Sequence, residues 1–171
     1  MVTRVLQPSV ELLRAVKLLA PFSDEELGQL LSLSEGKNFE PYSNIIIEGE
    51  LSWGIFVILS GVVGIYKNTE LSEAGYDVGH LESGNVFGEM SLIDENPRSA
   101  TVRALTPVST LYISKDKFNT FLQQQTDRKF RFFESCISTL VRRLRDLDEN
   151  YVVSQYQLWK SALSKSDEEA A

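Results

Sequence analysis

The feature that most constrains the fold is a middle segment, residues 38–114, in which apolar side chains recur with a period of two. Short runs with this period are separated by Gly, Ser, Asn and Pro. Alternation of this kind is typical of half-buried β-strands, and the separating residues favour turns. The segment therefore predicts an all-β body whose turns recur about every eight to twelve residues.

Helical patterns lie on both sides of this body. Residues 9–34 carry apolar side chains at helical spacing, and Ser23 stands as an N-cap before three acidic residues and a leucine stripe. We expect short helices within residues 1–34 and the β body within residues 35–124. The predicted fold class is therefore α+β, mainly β.

After Lys115 the helical pattern returns and continues without Gly or Pro to the end of the chain. We predict one long helix from about Asp127 to Leu163, which fills a C-terminal segment of residues 125–163. Residues 164–171 are expected to form a flexible tail.

The predicted long helix carries a heptad pattern of apolar residues, which we call the seam. Its members are alternately four and three residues apart, with one polar interruption. This spacing favours a parallel homodimer through a coiled coil; the alternative is that the stripe packs on the β body of its own chain. The seam consists of Phe133, Ile137, Leu140, Leu144, Leu147, Tyr151, Ser154 and Leu158.

The composition argues against several classes of protein. The 171 residues carry a formal net charge of −7, which disfavours a surface built mainly to bind nucleic acid. A single cysteine, Cys136, and a single histidine, His80, argue against a disulfide framework and against a zinc site. The sequence contains no run of about eighteen apolar residues and no signal peptide, so we expect a cytoplasmic protein with no membrane partner.

One stretch interrupts the strand pattern and places two charges in an apolar run. In FGEMSLIDENPRSATV, residues 87–102, a helical turn starting near Gly88 or Glu89 would present backbone N–H groups to an anion. Arg98 could then bind a phosphate bidentately, with the Ser99 hydroxyl donating to the same group. A phosphate repels a carboxylate, so Glu89 is assigned to a sugar hydroxyl instead. A phosphate, a ribose and an apolar wall together indicate a nucleotide.

This stretch resembles the phosphate-binding cassette of the cyclic nucleotide-binding domain family, which includes the catabolite activator protein and the regulatory subunits of protein kinase A. The family pattern is Gly-Glu, a small apolar turn, then Pro-Arg, a small residue and Ala-Thr-Val, and every landmark is present here. The segments IIIEGELSWGIFVILSGVVGIYK and LESGNVFGE extend the similarity, which covers roughly residues 20–150. The resemblance implies a double-stranded β-helix, or jelly-roll β-roll, with flanking helices. We call residues 87–102 the cassette.

The resemblance also implies roles for residues of the cassette. Gly88 and Glu89 would bind the ribose 2′-hydroxyl, Arg98 would bind the cyclic phosphate, and Ser91 and Ser99 would assist through a backbone N–H and a side chain. The ligand-binding residues implied within the cassette are Gly88, Glu89, Met90, Ser91, Arg98, Ser99 and Ala100.

Four residues outside the cassette are implied in the same way. Val78 and Gly79, in the strand before it, would line the base and the ribose. Leu147 and Asp148 align with positions of the long helix that contact the base in the family. Asp148 would either accept a hydrogen bond from an adenine amino group or be a solvated helix residue. Because Ser99 is a hydroxyl residue where many cAMP-selective members have alanine, the base preference stays open.

The function implied by the resemblance is that of a non-enzymatic sensor whose ligand is cAMP or cGMP, without a cofactor or a metal. It would act as a homodimer and signal to an unknown effector protein in trans, or to a further segment outside this sequence, because no helix-turn-helix follows the long helix here. The alternative is a scaffold whose nucleotide pocket is degenerate and whose coiled coil is the function. The sequence contains no nucleophile–base pair, metal constellation or Walker loop, which argues against an enzyme.

Overall fold

The structure is a computed structural model that describes residues 9–51, 54–69, 72–93 and 96–169. The chain divides into two compact units, residues 1–135 and residues 136–171. In its described part the first unit holds the N-terminal helices, two sheets and the start of the last helix, and the second unit is the remainder of that helix. The boundary therefore falls inside the helix, whereas the sequence predicted a domain boundary before it, at residue 125.

The N-terminal segment forms two short α-helices, α1 (Val10–Arg14) and α2 (Asp24–Leu33), with a 3₁₀ turn at Lys17–Leu19 between them. The Ser23 hydroxyl accepts a hydrogen bond from the Glu26 N–H at 3.2 Å, and the Glu26 carboxylate accepts one from the Ser23 N–H at 2.8 Å. This reciprocal capping confirms Ser23 as the N-cap of α2, because it satisfies two N–H groups that the helix cannot pair internally.

The β body consists of two antiparallel sheets, and most consecutive strands lie in opposite sheets, whereas β4 and β5 pair with each other. Its described strands are β1 (Glu35–Phe39), β2 (Asn44–Ile46), β3 (Gly54–Ser60), β4 (Val62–Thr69), β5 (Ser72–Glu82), β6 (Val86–Phe87), β7 (Thr101–Ala104) and β8 (Val108–Ser114). One described sheet has the order β1-β8-β3-β6 and the other has the order β2-β7-β4-β5. The chain thus crosses repeatedly from one sheet to the other, as in a jelly roll, and the predicted fold class is confirmed.

The interior of the β body is centred on aromatic side chains. The ring of Phe56 stacks on that of Phe87 with 5.0 Å between centroids, and Tyr112 lies at the same distance on a tilted plane. Offset or tilted aromatic pairs of this kind contribute about 0.5–1.5 kcal/mol beyond the area that they bury. Because Phe87 is the first residue of the cassette, this packing anchors the cassette to the core.

A second aromatic cluster lies between the helices of the first unit. It joins the N-terminal segment to α4 (Lys115–Gln123) and to the start of α5 (Thr126–Glu169). The centroids of Phe118 and Phe132 are 4.9 Å apart, and the Phe22 ring meets the edge of Phe121 at 5.4 Å. All four rings are buried, so this cluster contributes to the apolar packing between the N-terminal segment, α4 and α5.

Helix α5 is longer than the sequence predicted. It continues past Leu163 to Glu169, so residues 164–169, expected to belong to a flexible tail, are helical. The physical reason is that this segment contains neither Gly nor Pro, and its Lys165, Glu168 and Glu169 favour the helix. Among the described residues, no helix is both long enough and apolar enough to cross a membrane.

A buried ion-pair network also links α2 to the start of α5. The Glu26 carboxylate accepts hydrogen bonds from Arg128 Nε at 2.9 Å and from Arg131 Nη2 at 2.8 Å. Burial acts to raise the pKa of Glu26, but hydrogen bonds from Arg131, the Ser23 N–H and Arg128 outweigh it and hold the pKa at about 2. Glu26 is therefore charged in the folded protein at every pH well above that value.

The network makes the stability of the protein dependent on pH in the acid range. Because the folded pKa of Glu26 is about 2 and its ordinary value is 4.5, its contribution is complete above pH 4.5 and is lost as the pH falls toward 2. A difference of this size corresponds to about 3 kcal/mol. We expect Glu26→Gln to lower the free energy of unfolding at pH 7 by about that amount. Between pH 4.5 and pH 2, the free energy of unfolding of this variant should fall less than that of the wild type.

Urea unfolding at a series of pH values measures this dependence. The matched control is Glu35→Gln, since Glu35 is paired with Lys117 at 3.0 Å but both side chains are about half exposed. Exposed pairs contribute about 0–1 kcal/mol, so this variant should follow the wild type closely. Equal effects of the two substitutions would contradict the assignment.

Candidate functional site

The cassette begins with a sharp change of direction after β6. Gly88 has φ +81°, a left-handed conformation that favours glycine, and it leads through Glu89 into the single helical turn α3 (Met90–Ile93). The Leu92 N–H donates to the Glu89 carbonyl at 3.0 Å. The turn thus lies close to where the sequence predicted it, one or two residues later.

Arg98 is buried, and both its backbone N–H and its backbone carbonyl form hydrogen bonds. The residue as a whole is 9% exposed. Its N–H donates to the Glu50 carbonyl at 2.8 Å, and its own carbonyl accepts from the Gly49 N–H at 2.9 Å. The turn that follows β2 therefore positions the arginine.

The guanidinium of Arg98 is fixed by two backbone carbonyls. Nη2 donates to the Gly54 oxygen at 2.7 Å, and Nη1 donates to the Gly88 oxygen at 3.1 Å. A Cβ atom on Gly54 would overlap the Ile113 carbonyl oxygen, and one on Gly88 would lie 2.5 Å from Arg98 Nη1. Both carbonyls are thus within reach because neither residue has a side chain.

The two charged residues of the cassette that were assigned to the ligand, Glu89 and Arg98, are both buried. Glu89 is 2% exposed, so its carboxylate is buried near the start of the cassette. Burial lowers the pKa of Arg98, while the electrostatic influence of Tyr112, Glu89 and Glu50 acts to raise it. The structure thus brings together Gly88, Glu89 and Arg98, as the sequence predicted. The attraction between buried opposite charges is stronger than it would be in water.

The end of the cassette lies against its beginning. The Ser99 hydroxyl donates to the Met90 sulfur at 3.8 Å, and both residues are exposed. Ala100 is half-buried. Ser91 lies in α3, but its side chain is outside the described part of the structure. Ser99 and Met90 are thus neighbours, while a ligand-binding role for these four residues stays a prediction.

Val78 and Gly79 lie on β5, an edge strand of the second described sheet. Gly79 pairs with Ile65 next to a register shift, and its N–H donates to the Asp77 carboxylate at 2.9 Å. The Val78 side chain is 42% exposed. That these two residues line a base and a ribose stays a prediction.

Leu147 and Asp148 belong to the second unit. Both are exposed on α5 within that unit. Neither the base contact nor the alternative of a solvated Asp148 is tested by this geometry.

A half-open pocket of about 200 Å³ adjoins Arg98. Of the predicted site residues only Arg98 lines it. Sequence reasoning missed the other residues because most are apolar strand positions that look like any core position; Glu50, in the Gly-acidic turn, was the one available signal. The lining residues are Lys37, Ile45, Ile46, Glu50, Leu51, Phe56, Arg98 and Tyr112.

The geometry of Gly88 leads to a prediction about stability. We expect Gly88→Ala to destabilise the fold for two reasons, the strain of a left-handed alanine and the overlap of its Cβ with Arg98 Nη1. Gly84→Ala is the matched control, because Gly84 has φ +84° but no atom within 4 Å of an added Cβ. The control should lose about 1–2 kcal/mol, and Gly88→Ala should lose more. Thermal unfolding of both variants tests this, and equal losses would show that the overlap has no cost.

The sequence around this site is similar to that of known proteins. The family model for the cyclic nucleotide-binding domain matches residues 36–125. The chain is 28% identical over 155 residues to cGMP-dependent protein kinase 2 of Mus musculus, a match that covers 90% of this chain and 20% of the kinase. It is 29% identical over 112 residues to a cAMP-dependent protein kinase regulatory subunit of Colletotrichum orbiculare, covering 66% of this chain and 28% of that protein. The matched region thus spans 20% and 28% of the length of these two relatives.

Solved structures show the same fold. A cyclic nucleotide-binding domain from Methylobacillus flagellatus is 26% identical, with a TM-score of 0.71 over 82% of this chain and 80% of that chain. A cAMP-binding regulatory protein from Silicibacter pomeroyi, assigned that role only provisionally, has a TM-score of 0.68 at 17% identity, over 82% of this chain and 64% of that one. The family match covers more than half of the sequence and includes the whole cassette. The chain therefore belongs to the cyclic nucleotide-binding domain family.

Proposed function

We propose that this protein is a sensor that binds a cyclic nucleotide, cAMP or cGMP, and passes the signal to a partner protein in trans. The observation that carries the proposal is the buried Arg98, whose guanidinium is held by the carbonyls of Gly54 and Gly88. The relatives support a regulatory role, because two of them are a regulatory subunit and a kinase named for a cyclic nucleotide.

Arg98 has the chemistry that a cyclic phosphate requires. A guanidinium is planar and stays charged even where burial lowers its pKa, and its fork matches two phosphate oxygens. The two backbone hydrogen bonds orient this fork before a ligand arrives, which reduces the entropy lost on binding. Because the side chain is buried, its attraction to an anion is weakly screened by salt.

Glu89 is suited to the ribose and not to the phosphate. An ionised carboxylate only accepts hydrogen bonds, and a ribose 2′-hydroxyl is a donor that it can recognise. Its burial makes the pairing selective, because a ligand without that hydroxyl would leave a buried carboxylate with one partner fewer. We assign Glu89 and Gly88 to the ribose, and Val78 and Gly79 to the base and the ribose.

The base preference remains to be measured. One relative is named for cGMP and another for cAMP, so both nucleotides are candidate ligands. Asp148 would favour adenine if it accepts from the exocyclic amino group, and Ser99 is compatible with either base. A cytoplasmic location and the absence of enzymatic activity likewise stay predictions.

We also propose that the protein is a parallel homodimer through α5. Within the second unit, four members of the seam are large and exposed: Ile137, Leu144, Leu147 and Tyr151, at 47–65% exposure. They recur at the spacing that a coiled-coil partner requires, and pairing two copies would remove this apolar surface from water. A second copy of the chain is the occupant that such a seam fits.

The binding proposal is tested by calorimetric titration with cAMP and then cGMP. We expect micromolar or tighter binding of at least one nucleotide, and a loss of about 30-fold or more in Arg98→Ala, because truncating one partner of a buried charge pair costs about 2–5 kcal/mol. Arg103→Ala is the control. Arg103 lies on β7, in the same unit, and donates to the Asn44 side chain at 2.9 Å. It should bind like the wild type.

Failure of the wild type to bind would support the alternative function. No heat with either nucleotide, together with no rise in melting temperature at excess ligand, would favour a scaffold with a degenerate pocket. Equal losses in Arg98→Ala and Arg103→Ala would contradict the assignment of Arg98 to the phosphate.

The dimer is tested separately by sedimentation equilibrium of the full chain. Leu144→Asp places a charge in the seam, so we expect the mass to fall from that of a dimer toward that of a monomer. Val153→Asp is the control, since Val153 is also exposed on α5 but lies outside the seam. A dimer that survives Leu144→Asp, or that is lost equally in both variants, would rule out the seam as its interface.

A further inference from the structure

The last residues of the cassette are held by the turn that follows β2. Besides the two backbone hydrogen bonds of Arg98, the Glu48 N–H donates to the Thr101 hydroxyl oxygen at 3.1 Å. Residues 48–50 and residues 98–101 are therefore joined at three points. The conformation of the chain around Arg98 depends on this turn.

A lysine on another strand binds both of these segments, residues 48–50 and residues 98–101. Lys67, on β4, donates from Nζ to the Ser99 carbonyl oxygen at 2.7 Å and to the Glu48 carboxylate. The other carboxylate oxygen of Glu48 accepts from the Asn68 N–H at 2.7 Å. The Asn68 N–H and the Lys67 ammonium both lower the pKa of Glu48, so this carboxylate is ionised and orients the lysine.

The contact with Ser99 has a consequence for the next residue. A trans peptide is planar, and its C=O and N–H point in opposite directions. Holding the Ser99 oxygen therefore also sets the direction of the Ala100 N–H. Neither Lys67 nor Glu48 belongs to the predicted ligand-binding set, whereas Ser99 and Ala100 do.

We infer that Lys67 is a positioning residue which, together with Glu48, fixes the peptide between Ser99 and Ala100 so that the backbone after Arg98 is correctly placed for a phosphate. The inference rests on the proposed function, in which the cassette binds a cyclic phosphate. In this role Lys67 acts through the Ser99 carbonyl. A surface ion pair by itself contributes little, but here it is joined to a backbone carbonyl that follows the phosphate-binding arginine.

The test compares the affinity for cAMP and cGMP of Lys67→Met, Glu48→Ala and the double variant. Lys117→Met is the matched control, because Lys117 is similarly exposed and forms an ion pair with Glu35 at 3.0 Å in the same unit. We expect Lys67→Met to bind about tenfold more weakly, the scale of a charged hydrogen bond, and Lys117→Met to bind like the wild type. The double variant should be no worse than Lys67→Met, because the two side chains act as one unit.

Glu48→Ala separates positioning from simple electrostatics. Removing a negative charge near an anion site should tighten binding if charge alone matters. If Glu48 orients Lys67, the same substitution should weaken binding, again by about tenfold. Tighter or unchanged binding by Glu48→Ala would overturn the inference.

Two further measurements exclude a merely structural effect. The melting temperatures of the ligand-free variants report stability, and the amide resonance of Ala100 reports the peptide that Lys67 holds. We expect this resonance to shift in Lys67→Met and not in Lys117→Met. Weaker binding without that shift would overturn the inference.

The outcome for the wild type distinguishes this inference from the proposed function. If the wild type binds a nucleotide, Arg98→Ala loses it and Lys67→Met keeps full affinity, only the role of Lys67 is wrong. If the wild type binds neither nucleotide, the proposed function is wrong and the role of Lys67 is overturned with it.

Discussion

The hydrogen bonds between the Arg98 guanidinium and the carbonyls of Gly54 and Gly88 are the interactions on which the site depends. A cation in a protein interior is costly unless hydrogen bonds and opposite charges replace its water. Two carbonyls and the nearby carboxylates of Glu89 and Glu50 provide this replacement. The same contacts tie the beginning of the cassette to its end and to β3, so the charge and the local fold stabilise each other.

Buried charge has a second role in the helical part of the first unit. Glu26 connects α2 to the start of α5 through Arg128 and Arg131, next to the cluster of buried phenylalanine rings. The rings supply apolar burial without a strict direction, while the ion pairs require one geometry. The combination explains how short N-terminal helices are held in a defined place despite their small apolar area.

Local chemistry made part of this structure predictable. The period of two indicated the strands, Ser23 marked the start of α2, and the neighbours of Glu89 and Arg98 indicated a binding loop. The contacts of Glu26 with Arg128 and of Lys67 with Ser99 were not predictable, because they join distant residues and leave no periodic pattern. Helix α5 continues past the predicted end at Leu163, because no Gly or Pro interrupts residues 164–169.

The acceptors that bind Arg98 come from the main chain, which every residue possesses. Any amino acid introduced at position 54 or 88 therefore still has the carbonyl oxygen that accepts from Arg98. A substitution instead adds a side chain where there is no room for one. A Cβ at Gly54 would meet the backbone of β8, and one at Gly88 would meet the guanidinium. Any side chain at either position must displace one of these atoms, so the steric cost begins with alanine, and at Gly88 the left-handed backbone adds to it.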